Sequence, residues 1–337
     1  MRQTLILGLL AALTALPATA QTTLEQVRAR GELLCATNAG LPGFAQADAQ
    51  GIVRGLDADT CRAIAAAALG DANKVRFIGL TTPQALAALR EGSVDVASRN
   101  LTQTMGRDTD LGLAPAGTNF NDGQGFLVPV ASGITDPKAL DGKRVCVVAG
   151  SSNAQAQSDV ARRLGIRTTP VEAPAFTGLR DDYAAGRCDA VSADMSGLIV
   201  LRQTGTADPA AHRLLPDIIS REPLGPLVRD GDPHWRSLVF WVVNVMLEGE
   251  AQDIGTTNAA ARRADPSPLV RRILGVEPGL GAPLGLPDNW AFQVLSQVGH
   301  YGEVFERSLG QGSALKLDRG LNALWNRGGL MYPIPMR

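Results

Sequence analysis

Residues 91–100 (EGSVDVASRN) and 185–194 (AGRCDAVSAD) align without a gap at a constant offset of 94, which sets Gly92 over Gly186, Asp95 over Asp189, Ser98 over Ser192 and Asn100 over Asp194. Each copy follows a helix-like run, QALAALR or LRDDYAA, so each reads as the last helix, turn and buried strand of one α/β unit. A repeat of this kind limits the chain to architectures that use one unit twice. In open α/β sheets ligands gather beyond the carboxyl ends of the strands, so two such units facing each other would bring Asn100 and Asp194 to opposite walls of one cleft. The expected fold class is therefore α/β, with two lobes, two hinge strands and a cleft between the lobes.

The first copy runs on into a candidate receptor for an anion. Within residues 94–107 (VDVASRNLTQTMGR), Val94, Val96 and Ala97 form the strand, and Asn100, Thr102 and Thr104 offer short hydrogen-bonding groups. Arg107 adds a permanently charged fork that fits a carboxylate in two parallel bonds. Asp194, at the end of the second copy, is the complementary acceptor for a cation. A carboxylate on Arg107 and an ammonium on Asp194 are the two ends of a zwitterion such as a free amino acid. The bland alternatives are a solvated loop in which Arg107 pairs with Asp108 or Asp110, and a structural ion pair for Asp194. The duplicated strand end favours the ligand.

Residues 1–20 carry a lone Arg2, the apolar run LILGLLAALTAL, a break at Pro17 and an Ala-Thr-Ala end, the pattern of a secretory signal peptide cleaved after Ala20. The run is too short to span a bilayer and no cysteine follows it for lipid attachment, so export to the periplasm without membrane insertion is expected. The 317 residues left of 337 exceed the length at which one core stops growing. The expected division is lobe I over 21–125, lobe II over 126–224, and the rest of lobe I with a C-terminal extension over 225–337. Without Arg2, 31 basic face 33 acidic side chains, a balance that offers nucleic acid no hold.

Cys35, Cys61, Cys146 and Cys188 are an even set in an exported chain, and the sequence leaves three connectivities open. Cys35 on an early strand and Cys61 on the next helix belong to one unit, and Cys146 and Cys188 to the other. Bridges within lobes, Cys35 with Cys61 and Cys146 with Cys188, are therefore expected. His212, His234 and His300 lie far from the cysteines and make no zinc spacing, so no metal and no other cofactor is expected.

Residues 33–37 (LLCAT) lead into a Gly/Pro turn in which Leu41 and Phe44 are candidates to wall the pocket, with a core role the alternative for Phe44. Asp57 and Asp59 suit the positive end of the next helix, and Thr82 and Pro83 read as the cap and first turn of another. Residues 118–128 are the expected first crossing between lobes and 221–228 the return. After the strand 143–148, Ser151 and Ser152 start a helix whose backbone N–H groups would attract the same carboxylate as Arg107, plain capping being the alternative. Trp235, Trp241, Trp290 and Trp325 all follow the return crossing and are expected in the core.

Taken in order, GLPGF (40–44), GLDADTCRA (55–63), SRNLTQT (98–104) with Arg107, NDGQGF (121–126), AGRCDA (185–190), EPLGP (222–226) and NALWNRGGLMYPIP (322–335) make the chain resemble the amino-acid-binding proteins of ABC importers, general L-amino-acid-binding branch. The resemblance covers nearly all residues after the signal. It implies the periplasmic-binding-protein fold, and a non-enzymatic monomer that closes on an L-amino acid and delivers it to an inner-membrane permease complex. By the family pattern Arg107 takes the α-carboxylate with Thr102 and the Ser152 segment, and Asp194 with Asn100 takes the α-ammonium. Leu41 stands where many members carry an aromatic residue that stacks on the ligand, and Ser151 and Ser152 stand where the branch often has threonine. Two other classes share this scaffold. An amino-acid sensor subunit would use the same binding residues, whereas a dehydratase needs a general acid or base, and no histidine or lysine accompanies Asp194 in the cleft segments.

Overall fold

The structure, a computed structural model, describes residues 21–38 and 40–337; the signal peptide expected over residues 1–20 lies outside them. Two α/β lobes each have their own sheet. In lobe I, Leu33–Thr37 runs parallel to Val75–Gly79 on one side and to Val96–Ala97 on the other, and Leu227–Arg229 pairs antiparallel with both Val96–Ala97 and Leu113–Pro115. In lobe II, Arg144–Val148 runs parallel to Thr169–Ala173 and Ala190–Asp194, and Ala190–Asp194 pairs antiparallel with the long strand Phe120–Pro129. Each repeat strand thus sits between a parallel neighbour and a segment on a crossing path between lobes. Phe120–Pro129 makes the outward crossing and Ser220–Leu224 returns beside it, antiparallel, with Ser220 opposite Gln124 and Leu224 opposite Phe120.

Alternation along the strands explains the two apolar layers of lobe II. Phe126, Val128, Val145 and Val147 face one layer with Ile134 and Leu140, while Leu127, Cys146 and Val191 face another with Leu179, Tyr183 and Leu198. Lobe I buries the alanine-rich helix Leu56–Leu69 along almost its whole length beneath Pro233–Ala251 and Trp290–Gln297. Alanine permits that close approach and has no side-chain entropy to lose. Cys35 is bonded to Cys61 in lobe I and Cys146 to Cys188 in lobe II.

Two local expectations need correction. Thr81, not Thr82, caps the helix Thr82–Glu91, because Gln84 returns a bond to Thr81 and closes a capping box that leaves Pro83 in the first turn. Trp325 is half exposed and packs on Tyr332, since the bridge between Leu324 and Met331 turns those two residues inward instead. Trp241 is only partly buried, while Trp235 and Trp290 are core. Nearby, Asn322 grips the outward crossing, accepting the N–H of Asn121 at 2.6 Å and donating to its carbonyl at 3.0 Å.

Candidate ligand-binding cleft

On the lobe I side, Asn100 follows Val96–Ala97 with a left-handed backbone at φ 46°, a conformation asparagine accepts more readily than most residues. Asp57 holds this turn by accepting the Ser98 hydroxyl at 2.9 Å and the Asn100 N–H at 2.7 Å. Burial pushes the Asp57 carboxyl up to about 6 even though these bonds oppose it. The Asn100 side chain reaches the other lobe, donating to Asp194 at 3.4 Å. Thr104 caps the short helix Met105–Thr109 by accepting the Arg107 N–H, and the Arg107 side chain turns back to donate to the Thr102 carbonyl. Arg107 is buried whereas Asp108 and Asp110 are exposed, so the loop pairing considered above is not made. Burial lowers its pKa, with the charges of Glu222 and Asp194 acting the other way.

On the lobe II side, Asp194 occupies the N-cap position of Met195–Thr204, yet its side chain makes no capping bond. It faces Asn153, which donates to it at 2.8 Å, as well as Asn100. Burial and then the neighbouring Asp122 raise its pKa well above the usual carboxylate range. A cation placed there would relieve both effects. Ser152 reaches across to within 2.9 Å of the Thr102 hydroxyl, and both hydroxyls meet the buried Glu222 of the returning strand. Ser151 lines the cleft, but its hydroxyl is engaged in capping, donating to the Val148 carbonyl at 2.6 Å and accepting the Ala154 N–H at 3.2 Å.

The facing walls enclose a small cavity of about 50 Å³. Asn100, Thr102, Arg107, Ser151, Ser152, Asp194 and Leu41 all line it. Phe44 does not. The tight turn that bridges Leu41 to Ala45 leaves Leu41 on the wall and sends Phe44 into the lobe I core, edge-on to Phe120 at 5.3 Å. The polar and aromatic lining residues not singled out as ligand contacts from sequence are Asn38, Thr82, Arg99, Asn153 and Phe176. Asn38 and Phe176 follow the ends of Leu33–Thr37 and Thr169–Ala173, and Asn153 follows Arg144–Val148, so the strand-end rule applied to every parallel strand would have reached them. Phe176 supplies from lobe II an aromatic wall where lobe I has Leu41.

Two lobes joined by paired crossing strands, with opposite charges buried on facing walls, define a binding protein that encloses a small polar solute. The profile of the bacterial extracellular solute-binding proteins, family 3, matches residues 33–239, and the chain belongs to that family. It is 41% identical over 322 residues to the general L-amino acid-binding periplasmic protein AapJ of Rhizobium johnstonii, covering 95% of this chain and 94% of the relative. It is 42% identical over 329 residues to the glutamate/glutamine/aspartate/asparagine-binding protein BztA of Rhodobacter capsulatus, covering 97% of each. The solved structure of an ABC transporter periplasmic binding protein from Brucella ovis, with glutathione bound, matches with a TM-score of 0.90 at 42% identity, over 94% of this chain and 100% of the other.

Proposed function

We propose that this chain is the periplasmic substrate-binding component of an ABC importer for L-amino acids, closing on the zwitterion and delivering it to a permease complex in the inner membrane. One observation carries the reading: a buried arginine fork, Arg107, and a buried, uncapped carboxylate, Asp194, line one cleft from opposite lobes. The α-carboxylate goes to Arg107 with Thr102 and the Ser152 helix start, and the α-ammonium to Asp194 with Asn100. Leu41 and Phe176 wall the side chain. Each lobe alone satisfies only one of the ligand's two charges, so the closed state gains contacts that an open state lacks, which is the differential affinity that closure requires. Lobe I is taken as residues 21–125 and 225–337, lobe II as 126–224, with hinges in 120–128 and 221–228. The names of the relatives support amino acids as ligands and an ABC transporter as the partner, and the protein acts as a monomer.

A calorimetric panel of L-amino acids, a sugar and a dicarboxylate tests this. Heat for several L-amino acids is expected. Binding of the sugar or dicarboxylate with none of the amino acids would overturn the reading.

A further inference from the structure

Arg99 brings to the cleft a charge that the α-groups of an amino acid do not need. It is 5% exposed and lines the cavity beside Asn38 and Thr82. One terminal nitrogen donates to the Thr82 hydroxyl at 2.7 Å and the other to the Asn38 side-chain oxygen at 2.8 Å, while Nε has no partner. A guanidinium has five N–H donors, so the protein itself uses only a minority of them. Asp57, whose charge acts on Arg99, has committed its oxygens to Ser98, Asn100 and Asn119. Burial brings the Arg99 pKa down to about 10, and Arg107 pushes the same way, so Arg99 remains a cation near neutrality. The ionisable residues lining the cleft are Arg99, Arg107 and Asp194. A zwitterion answers the last two and leaves the first.

We infer that Arg99 is a specificity residue of this cleft, donating to a carboxylate or carboxamide oxygen on the ligand's side chain, so that the protein selects acidic and amide L-amino acids and rejects cationic ones. The inference rests on the zwitterion reading. An aliphatic side chain leaves buried donors unpaired, and a lysine side chain sets a second cation against a desolvated one; a site built to hydrogen-bond a side chain discriminates strongly against ligands that lack the partner. Asn38 and Thr82 act as positioning residues, holding the guanidinium plane.

The test is isothermal titration of the purified protein with L-glutamate, L-glutamine, L-alanine and L-lysine, together with N-acetyl-L-glutamate, and the same series with Arg99→Gln. For the wild type, glutamate and glutamine are expected to bind at least about tenfold more tightly than alanine and about 100-fold more tightly than lysine. In Arg99→Gln the glutamate-to-alanine ratio should fall at least about tenfold. Alanine or lysine binding the wild-type protein as well as glutamate overturns the assignment of Arg99, and this arm decides the matter even if Arg99→Gln does not fold. Binding of N-acetyl-L-glutamate as tight as that of glutamate, or no binding of any free amino acid, instead overturns the zwitterion reading beneath it.

Discussion

In lobe I the repeated strand closes on Asn100 and in lobe II on Asp194, and the three matched residues before that position do comparable work in both. Gly92 and Gly186 end their helices with left-handed backbones, φ 74° and 68°. Asp95 accepts the N–H of Leu34 at 2.7 Å, and Asp189 that of Arg144 at 2.9 Å, so each carboxylate staples the repeat to the first strand of its own lobe. Ser98 donates to the buried carboxylate of Asp57, whereas Ser192 donates to the Gly125 carbonyl at 3.0 Å and accepts from Gln124 at 2.8 Å. The copies diverge where the ligand would sit. Lobe I already supplies cations through Arg99 and Arg107, so its strand end carries a neutral amide, and lobe II supplies the anion.

That division predicts unequal effects at aligned positions. Asp194→Ala would leave a desolvated ammonium without its counter-charge, a loss of about 3 to 5 kcal/mol, or roughly two to four decades of affinity. Asn100→Ala removes a neutral hydrogen-bonding group and should cost only about 1 kcal/mol of binding. Calorimetry on both variants with one amino acid checks the comparison, and equal losses would break it.

The bridges offer a second comparison, in stability. Cys35–Cys61 closes a sequence separation of 26 residues and Cys146–Cys188 one of 42. Replacing either pair by serine should cost about 2 to 5 kcal/mol, with the longer loop costing about 0.4 kcal/mol more on chain entropy alone. Denaturant unfolding of the two double variants measures the difference; a clearly larger loss for Cys35–Cys61 would show that strain or residual structure outweighs loop length.

What could be read from sequence followed the locality of the signal. Strand period, helix-ending glycines and the Asp and Ser of the repeat act within a few residues, so the strand ends, Arg107 and Asp194 were legible. The facing of residues in the turn after Leu33–Thr37 was not, because the bridge from Leu41 to Ala45 decides which side chain points to the cleft and which to the core. Arg99 stood unread beside Asn100 because its partners Thr82 and Asn38 are 17 and 61 residues away and come together only in the fold. Phe176 belongs to a helix start in the other lobe, and no local pattern joins it to Leu41.

The matched glycines sharpen the comparison at the scale of about 1 to 2 kcal/mol, the usual cost of forcing an L-residue into the left-handed region. Gly186→Ala meets nothing within 4 Å and should show that backbone cost alone. At Gly92 an added Cβ would lie 2.6 Å from a terminal nitrogen of Arg229, the movable end of a long side chain. The two losses in urea unfolding should therefore agree within about 0.5 kcal/mol. A much larger loss at Gly92 would mean that Arg229 is fixed, and the copies are less alike than their backbones.

The copies should also differ in pH dependence, because Ser98 rests on an ionisable partner and Ser192 on neutral ones. The Asp57 carboxyl is raised to about 6 in the folded protein by burial, against an ordinary value of 3.8. A group raised on folding contributes stability that is fully present below its unfolded pKa and is lost as pH rises through the folded one. Between pH 5 and 7, Asp57 should therefore withdraw about 1 kcal/mol of stability from the ligand-free protein. Asp122, on the outward crossing and likewise raised to about 6, acts in the same direction. Asp57→Asn should flatten the fall in ligand-free stability across this window by about 1 kcal/mol, leaving the contributions of Asp122 and Asp194, whose pKa is also raised. Unfolding at pH 5 and pH 7 on both proteins reads the change, and an unaltered slope in Asp57→Asn would mean that the carboxyl under the lobe I strand end stays ionised throughout, which would bring the two copies closer together than their serine partners suggest.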